Sequence, residues 1–509
     1  MISLSRRRFL QGASAMPLAL WLSKNAIAQS TSLVRYDIAS SAGQDMLATY
    51  ANAMRAMLAR PESDPLSWMW QWYTHFVRTG TTKANEITRI FGSTSSPRKT
   101  LATSMWNTCQ SHAGQNYNHF LPWHRMFLFF YEQVIREVSG RADFTLPYWD
   151  YTSADPAKRG ILPPQFRMPG DPMWGTLYRS DRLALANSGQ RIDLNQPTDQ
   201  MDITATMASA SYSNVGTVLG FCRSIDANIH GRIHVLTGNS SNMGSIPNSA
   251  RDPLFWVHHA NIDRLWASWN ANFGGLNPTT GTWLNTQFTF SDRLGQPVTG
   301  RLRDFLSTST LGYGYDVLVA PPAPKKKRTS SSSTLTAAQS TTQRLASLKA
   351  SEPERVASAT TTAKMGTSAT RVTVERLSAA KQVAPVLGLA PADAPQRTYL
   401  VLTNLHTWKQ PEVLYHVYLG PVRGSALNKN TYVGAINFFD AEFHDHGTSH
   451  QLDEALGPNF YSFDVTELLR RFERGGTVAR DALQVTFVPG GKARADAGAM
   501  VATVELVRQ

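Results

Sequence analysis

Phe120-Leu121-Pro122-Trp123-His124-Arg125, followed by the apolar and aromatic run Met126 to Tyr131 and closed by Glu132, is the stretch from which the fold can be read. Proline is favoured in the first turn of a helix, where its missing N–H costs nothing and its fixed backbone angle is already helical. The spacing therefore predicts a helix beginning beside Pro122, with His124 in its first turn and Arg125 next to it. Imidazole is the commonest protein ligand for transition metals. The question is whether other histidines stand where they could meet this one.

Two stretches supply them: Asn228-Ile229-His230-Gly231-Arg232-Ile233-His234, and Asp252-Pro253-Leu254-Phe255-Trp256-Val257-His258-His259, which runs on through Asn261 and Asp263 to Trp266. His230 and His234 are i and i+4, so both rings leave one face of a helix. Such a pair alone is weak evidence of a metal site; it gains weight from the paired histidines downstream. Read from the residues alone, His258 and His259 stand equal as a third ligand. Asp226 and Asp263 each lie one turn from a histidine and could accept a ring N–H, or simply sit on a solvated face.

Together, FLPWHR and DPLFWVHHANIDRLW resemble the two half-sites of the type-3 copper family, which comprises tyrosinases, catechol oxidases and mollusc-type hemocyanins. The resemblance implies a mainly α fold in which a helical bundle holds two copper ions between facing helices. It implies His230, His234 and His259 as the ligands of one ion, and His75 and His124 as two ligands of the other. The middle ligand of that second set is His112 or His119. Cys109-Gln110-Ser111-His112 resembles the pattern of long bacterial tyrosinases, although His112 stands twelve residues before His124, further than is common in the family. His119 would be squeezed by the turn at Pro122, so His112 is the better reading. The thioether that some relatives form between a cysteine and this histidine spans one intervening residue; here two intervene.

Six neutral imidazoles favour copper over magnesium or calcium. Two adjacent coppers can share one dioxygen, and zinc on the same ligands would be redox-silent. The resemblance thus implies copper-dependent oxidation of small phenols and o-diphenols to o-quinones, with a hemocyanin-like dioxygen carrier as the alternative. Four further residues are singled out by it. Gly231 stands where many tyrosinases carry Asn, which weakens the case for phenol hydroxylation. Asp226 is the candidate substitute base, Ile246 falls at the gate over one copper, and Arg232, with Val235, is expected at the substrate mouth. Pro147-Tyr148-Trp149-Asp150 resembles a family segment whose role is packing.

The 509 residues exceed one ordinary domain, and 42% hydrophobic content marks a globular chain. Ser5-Arg6-Arg7-Arg8-Phe9-Leu10, an apolar stretch and Ala26-Ile27-Ala28 resemble a twin-arginine export signal over residues 1–28, which implies a periplasmic or secreted protein. A catalytic helical domain is expected over 29–318, with helices at Tyr36–Arg60, Trp68–Arg78, Met126–Val138, Ser224–Leu236 and Pro253–Asn270 and loops over 150–215. Residues 319–370, rich in Ser, Thr, Ala and Lys, read as a disordered linker. Period-2 alternation from 371 to 509 predicts a mainly β C-terminal domain; its layout loosely resembles that of plant polyphenol oxidases, which implies a β-sandwich-like domain placed to shield the active site. An aromatic placeholder is expected there at Phe438 or Phe439, and His444, His446 and His450 read as a polar loop compatible with transient copper binding.

The net charge of +13 is largely local: residues 320–376 hold ten Lys or Arg against three Glu, so it argues for a basic tether rather than a nucleic-acid surface. No apolar run reaches the roughly 20 residues that span a bilayer. Two cysteines are too few for a disulfide framework. The expected partners are dioxygen and phenolic substrates, with a copper chaperone as a candidate.

Overall fold

The computed structural model describes residues 33–110, 118–322, 337–377, 396–422, 426–443, 459–474 and 482–509. The export leader, His112 and the His444–His450 group lie outside the described residues.

The helical core is built on four principal helices. Helix Ser41–Leu58 begins where Ser40 Oγ accepts the Gly43 N–H, a cap that satisfies one orphan donor of the first turn. The expected start at Tyr36 is too early because Asp37 to Ser40 close a turn of their own, Ser40 N–H donating to Asp37 O at 2.9 Å. Helix Trp68–His75 is capped by Ser67 in the same way. Helix Phe120–Ser139 carries FLPWHR as its first residues and ends at Gly140, whose φ of 71° a side chain would disfavour. It packs against both Ser41–Leu58 and Leu254–Asn272. Two helices that the sequence reading does not contain, Lys83–Phe91 and Pro97–Met105, are short and polar; each buries only a few side chains.

Ser224–Leu236, expected as one regular helix, is interrupted. Phe221–Ile225 leads into a wide π turn at Asp226–His230, and α-helix resumes over Gly231–Thr237. The core around these elements is dense with tryptophan: Trp70, Trp106, Trp123, Trp149, Trp256, Trp266 and Trp269 are all fully buried. Tyr131 stacks on Trp256 with ring centroids 3.5 Å apart.

A buried charge network ties the helices together. Arg35 pairs with Glu132 at 2.8 Å and Asp263 at 2.9 Å, and Arg125 pairs with Asp263 at 2.5 Å. Tyr313 and Tyr315 also donate to Asp263. Burial alone would raise the Asp263 pKa, but Arg125 and Arg35 outweigh it and hold the carboxyl below its ordinary range. Asp263 is thus a structural counter-ion of two arginines, in place of the expected acceptor for the His259 ring.

The C-terminal strands form one sheet in the order Tyr432–Ile436, Tyr415–Pro421, Ala482–Pro489, Thr370–Arg376, Glu354–Ala359, Met500–Arg508, Thr398–His406, Phe460–Asp464, with Ala363–Lys364 pairing to Met500–Arg508. The expected sandwich of two sheets is replaced by a single sheet curled into a nearly closed barrel. Its two outer strands approach each other where Gly434 lies against the Phe463 ring, which leaves no room for a side chain.

The linker is also shorter than the sequence suggests. Ala337–Ala350 is helical, and Glu354–Ala359 and Ala363–Lys364 are strands of the barrel. Val356, Ala357, Ala363 and Met365 are buried in its core. Glu354–Ala359 pairs with Thr370–Arg376 on one side, but it and Ala363–Lys364 also pair with Met500–Arg508, about 150 residues away in sequence, and local composition gives no sign of that pairing. Among the described residues no helix is long and apolar enough to cross a membrane.

Candidate metal centre

The histidines of the site come from five helical segments, His258 and His259 sharing one. His75 ends Trp68–His75, His124 stands in the first turn of Phe120–Ser139, His230 closes the π turn, His234 lies one turn further, and His258 and His259 sit in Leu254–Asn272. All six are buried. The rings converge. Nitrogens of His230, His234, His258 and His259 lie within 4.8 Å of one another, and a second group joins His75, His124 and the Cys109 sulfur within the same limit. The groups are contiguous, since His259 stacks on His124 with centroids 4.4 Å apart and planes at 14°.

Main-chain and carboxylate oxygens orient the rings. His124 Nδ1 lies 2.8 Å from Phe120 O, and His234 Nδ1 lies 2.6 Å from Met243 O. His230 Nδ1 faces Asp226, 2.9 Å from its carboxylate and 3.4 Å from its backbone oxygen. A ring held at Nδ1 presents Nε2 as the free lone pair, the arrangement that fixes a metal-ligating tautomer. His234 Nε2 and both nitrogens of His258 and His259 are buried without a hydrogen-bond partner. Burial first, and then neighbouring imidazoles, press the pKa of His75, His234, His258 and His259 well below the ordinary histidine range. Neutral, buried imidazoles with unused lone pairs fit soft-to-borderline transition ions such as copper, and do not suit magnesium or calcium.

Aromatic rings make the surroundings dry. Phe120 lies 4.5 Å from His124 and 4.6 Å from His230, and Phe255 lies 4.1 Å from His259, centroid to centroid. Cys109 Sγ is 3.0 Å from His75 Nε2 and 3.7 Å from His124 Nε2. His119 is turned elsewhere, toward Trp283 and Phe288; it is absent from the convergent groups.

The remaining residues singled out in the sequence separate. Asp226 sits behind His230 on the Nδ1 side, so it orients that ring instead of facing the space between the metal groups. Ile246 is buried, with its backbone against His75 of the second group. Val235 is buried in the core. Arg232 does not reach the histidines; it lines a separate cavity between the two domains.

Gly231 meets the barrel. A Cβ there would stand 2.6 Å from Asn437 Oδ1 and 2.7 Å from its Nδ2. Asn437 donates to Ala227 O at 2.7 Å, as does Tyr461 at 2.9 Å. Nearby, the buried Arg223 pairs with Asp440 and hydrogen-bonds Asn459. Between these contacts Phe439 enters the site and stacks on His234, centroids 4.0 Å apart and planes at 11°. Sequence reasoning did not find Arg223, Asn437 or Asp440; none belongs to a motif, and each acquires meaning only from its partner across the interface.

A helical bundle whose facing helices bring two adjoining groups of buried histidines together offers a donor set that could hold a pair of metal ions, the layout of the type-3 copper class. The family description "common central domain of tyrosinase" matches residues 65–206 and 176–272, "polyphenol oxidase middle domain" matches 277–327, and a domain of unknown function matches 352–509. A tyrosinase of Hahella sp. (strain CCB-MM4) is 34% identical over 293 residues, covering 53% of this chain and 60% of its own. Chloroplastic polyphenol oxidase C of Solanum lycopersicum is 28% identical over 238 residues, covering 40% of this chain and 37% of its own. The chain therefore spans between about a third and three fifths of the length of these curated relatives. Latent apple tyrosinase shares the fold at a TM-score of 0.57 and 20% identity, over 93% of this chain and 96% of the other. The chain belongs to the tyrosinase and polyphenol oxidase family.

Proposed function

We propose that this protein binds two copper ions and oxidises phenols and o-diphenols to o-quinones with dioxygen, as a tyrosinase or catechol oxidase. The observation that carries the reading is the convergence of buried imidazoles from separate helices into two adjoining groups. His230, His234 and His259 would hold one ion, with His258 beside them. His75 and His124 would hold the other, completed by His112 outside the described residues. Bound copper supplies the one-electron steps that pass electrons from the phenol to dioxygen.

The rest falls to the chain. Phe120 O, Asp226 and Met243 O hold three rings in the ligating tautomer. Phe120 and Phe255 exclude water from the ligands. The C-terminal barrel is read as a shield: Phe439 occupies the face of His234 that a substrate ring would approach. Cleavage in the expected linker, ahead of Ala337–Ala350, would remove the covalent tie between core and shield. The Arg6-Arg7 leader supports export by the twin-arginine route, so that a folded, copper-loaded protein reaches the periplasm or the exterior.

Parallel assays of the copper-loaded full chain with tyrosine and L-DOPA, before and after linker proteolysis, test the function. Quinone absorbance from L-DOPA is expected, and should grow after cleavage. Two bound coppers with reversible dioxygen binding, but no quinone from either substrate in either form, would identify a carrier instead.

A further inference from the structure

Between the helical core and the barrel lies a cavity of about 1220 Å³ that none of the candidate ligand histidines lines. From the core, Arg232 and Asn228 face it; from the barrel, Tyr399, Tyr432, Ser462 and Phe463 do. Arg232 follows His230 by two positions, so it leaves the helix from another face.

Its guanidinium is poorly satisfied. Nη2 donates to Asn228 Oδ1 at 3.2 Å, Nη1 only approaches Gln200 O at 3.5 Å, and Nε is buried with no partner. No Asp or Glu among the described residues forms an ion pair with it; Asp202 and Asp199 act on it only at longer range. Among the other charges of the lining, Asp202 forms no ion pair with a described residue and accepts the Thr204 N–H at 2.8 Å; the rest are paired. Arg397 is paired with Asp464 at 2.5 Å, and Asp199 with Arg159 at 2.6 Å and Arg191 at 2.9 Å. Ser462 Oγ is a second buried polar atom without a partner, and the Tyr432 hydroxyl has only a 3.4 Å contact with His416 Nδ1.

A sheltered guanidinium without an anion is unfavourable, and arginine is the side chain best shaped to receive a carboxylate or phosphate. The volume far exceeds one phosphate, and three aromatic side chains line it, the mixture typical of sites for small organic ligands. We propose that this interdomain cavity is a binding site for a small aromatic carboxylate, its anionic end on Arg232 and its ring among Tyr399, Tyr432 and Phe463. Because core and barrel both line the cavity, an occupant holds the two together and favours the docked arrangement.

Titration calorimetry of the full chain tests this with 3-phenylpropanoate, which lacks a phenolic hydroxyl and so cannot be turned over, and with inorganic phosphate. One 3-phenylpropanoate should bind per chain, at least about tenfold more tightly than phosphate, and Arg232→Met should weaken it about tenfold or more. Absence of saturable binding to the wild type, or unchanged affinity in R232M, would overturn the site; equal affinity for phosphate would overturn its aromatic character. Should R232M fail to fold, the Y432F/S462A double variant takes its place, with weakened binding expected and unchanged affinity counting against the proposal.

Discussion

Replacing Asp440 by alanine should open the shield. Arg223 and Asp440 are almost completely buried, and their ion pair crosses from the helical core to the barrel. Burial lowers the Arg223 pKa, but Asp440 and then Asp226 outweigh it and keep the guanidinium charged. Removing one member of a buried pair strands the other and costs about 3–5 kcal/mol. Asp226 Oδ2 remains 3.7 Å from Arg223 and retains part of the compensation, so the lower figure, about 3 kcal/mol, is appropriate. When the barrel is undocked Arg223 can reach water, so this cost falls on the docked form alone. At roughly 1.4 kcal/mol per tenfold change, the docked-to-open ratio falls by about two orders of magnitude. The assay is L-DOPA oxidation by the uncut, copper-loaded chain, with the fully cleaved enzyme as the ceiling. D440A should raise uncut activity by up to about 100-fold within that ceiling. The double variant R223M/D440L, which replaces the pair by apolar groups, should return toward wild-type latency, since such exchanges are often close to neutral. A folded, copper-replete D440A with wild-type uncut activity, while cleavage activates both proteins, would refute the latch.

Three shorter expectations accompany it. Gly231→Asn places atoms where Asn437 now sits, 2.6 Å from a Cβ at that position; uncut activity should rise toward the cleaved level, and an unchanged uncut-to-cleaved ratio would show that the barrel docks without this close approach. Burial lifts the Glu442 pKa to about 7, so the folded protein keeps a proton that the unfolded chain has lost, and stability should fall as pH rises from about 4.5 to about 7. E442Q should flatten that part of the Tm-against-pH curve, and a curve of the same slope would rule the group out. His259→Ala should cost one copper per chain by metal analysis, whereas His258→Ala should keep two; the reverse pattern would exchange their roles.

The helical core was legible because its signals are local. Pro122 marks a helix start, Gly140 marks an end, and apolar periodicity marks the buried faces, although the sequence reading passes over the Ser40 cap and starts that helix early, at Tyr36. The convergence of histidines was legible for a different reason: His124, His258 and His259 lie in long motifs and His230 and His234 share a helix face, whereas His75, His112 and the order within His258-His259 needed the resemblance. What escaped depends on distant partners. Asp263 looks like a helical neighbour of His259, yet Arg35, Arg125, Tyr313 and Tyr315 claim it. Glu354–Ala359 looks like linker until Met500–Arg508 pairs with it. Arg232, expected at the substrate mouth with Val235, leaves the helix on another face and lines a different cavity.

The break in the helix at Asp226–His230 connects these pieces. In an unbroken α-helix the Gly231 N–H would donate to Ala227 O; in the π turn it reaches Asp226 O instead. The Ala227 carbonyl then accepts from Asn437 and Tyr461 of the barrel. The same turn carries His230 at its end and, at its start, the Asp226 carboxylate that lies behind the His230 ring. Tightening it to α geometry would offer that carbonyl to Gly231 and draw it from the barrel while moving a ligand. Docking of the shield and geometry of the metal centre are therefore two readings of one backbone irregularity. A regular helix, which periodicity alone predicts here, would supply neither the freed acceptor nor the link between them.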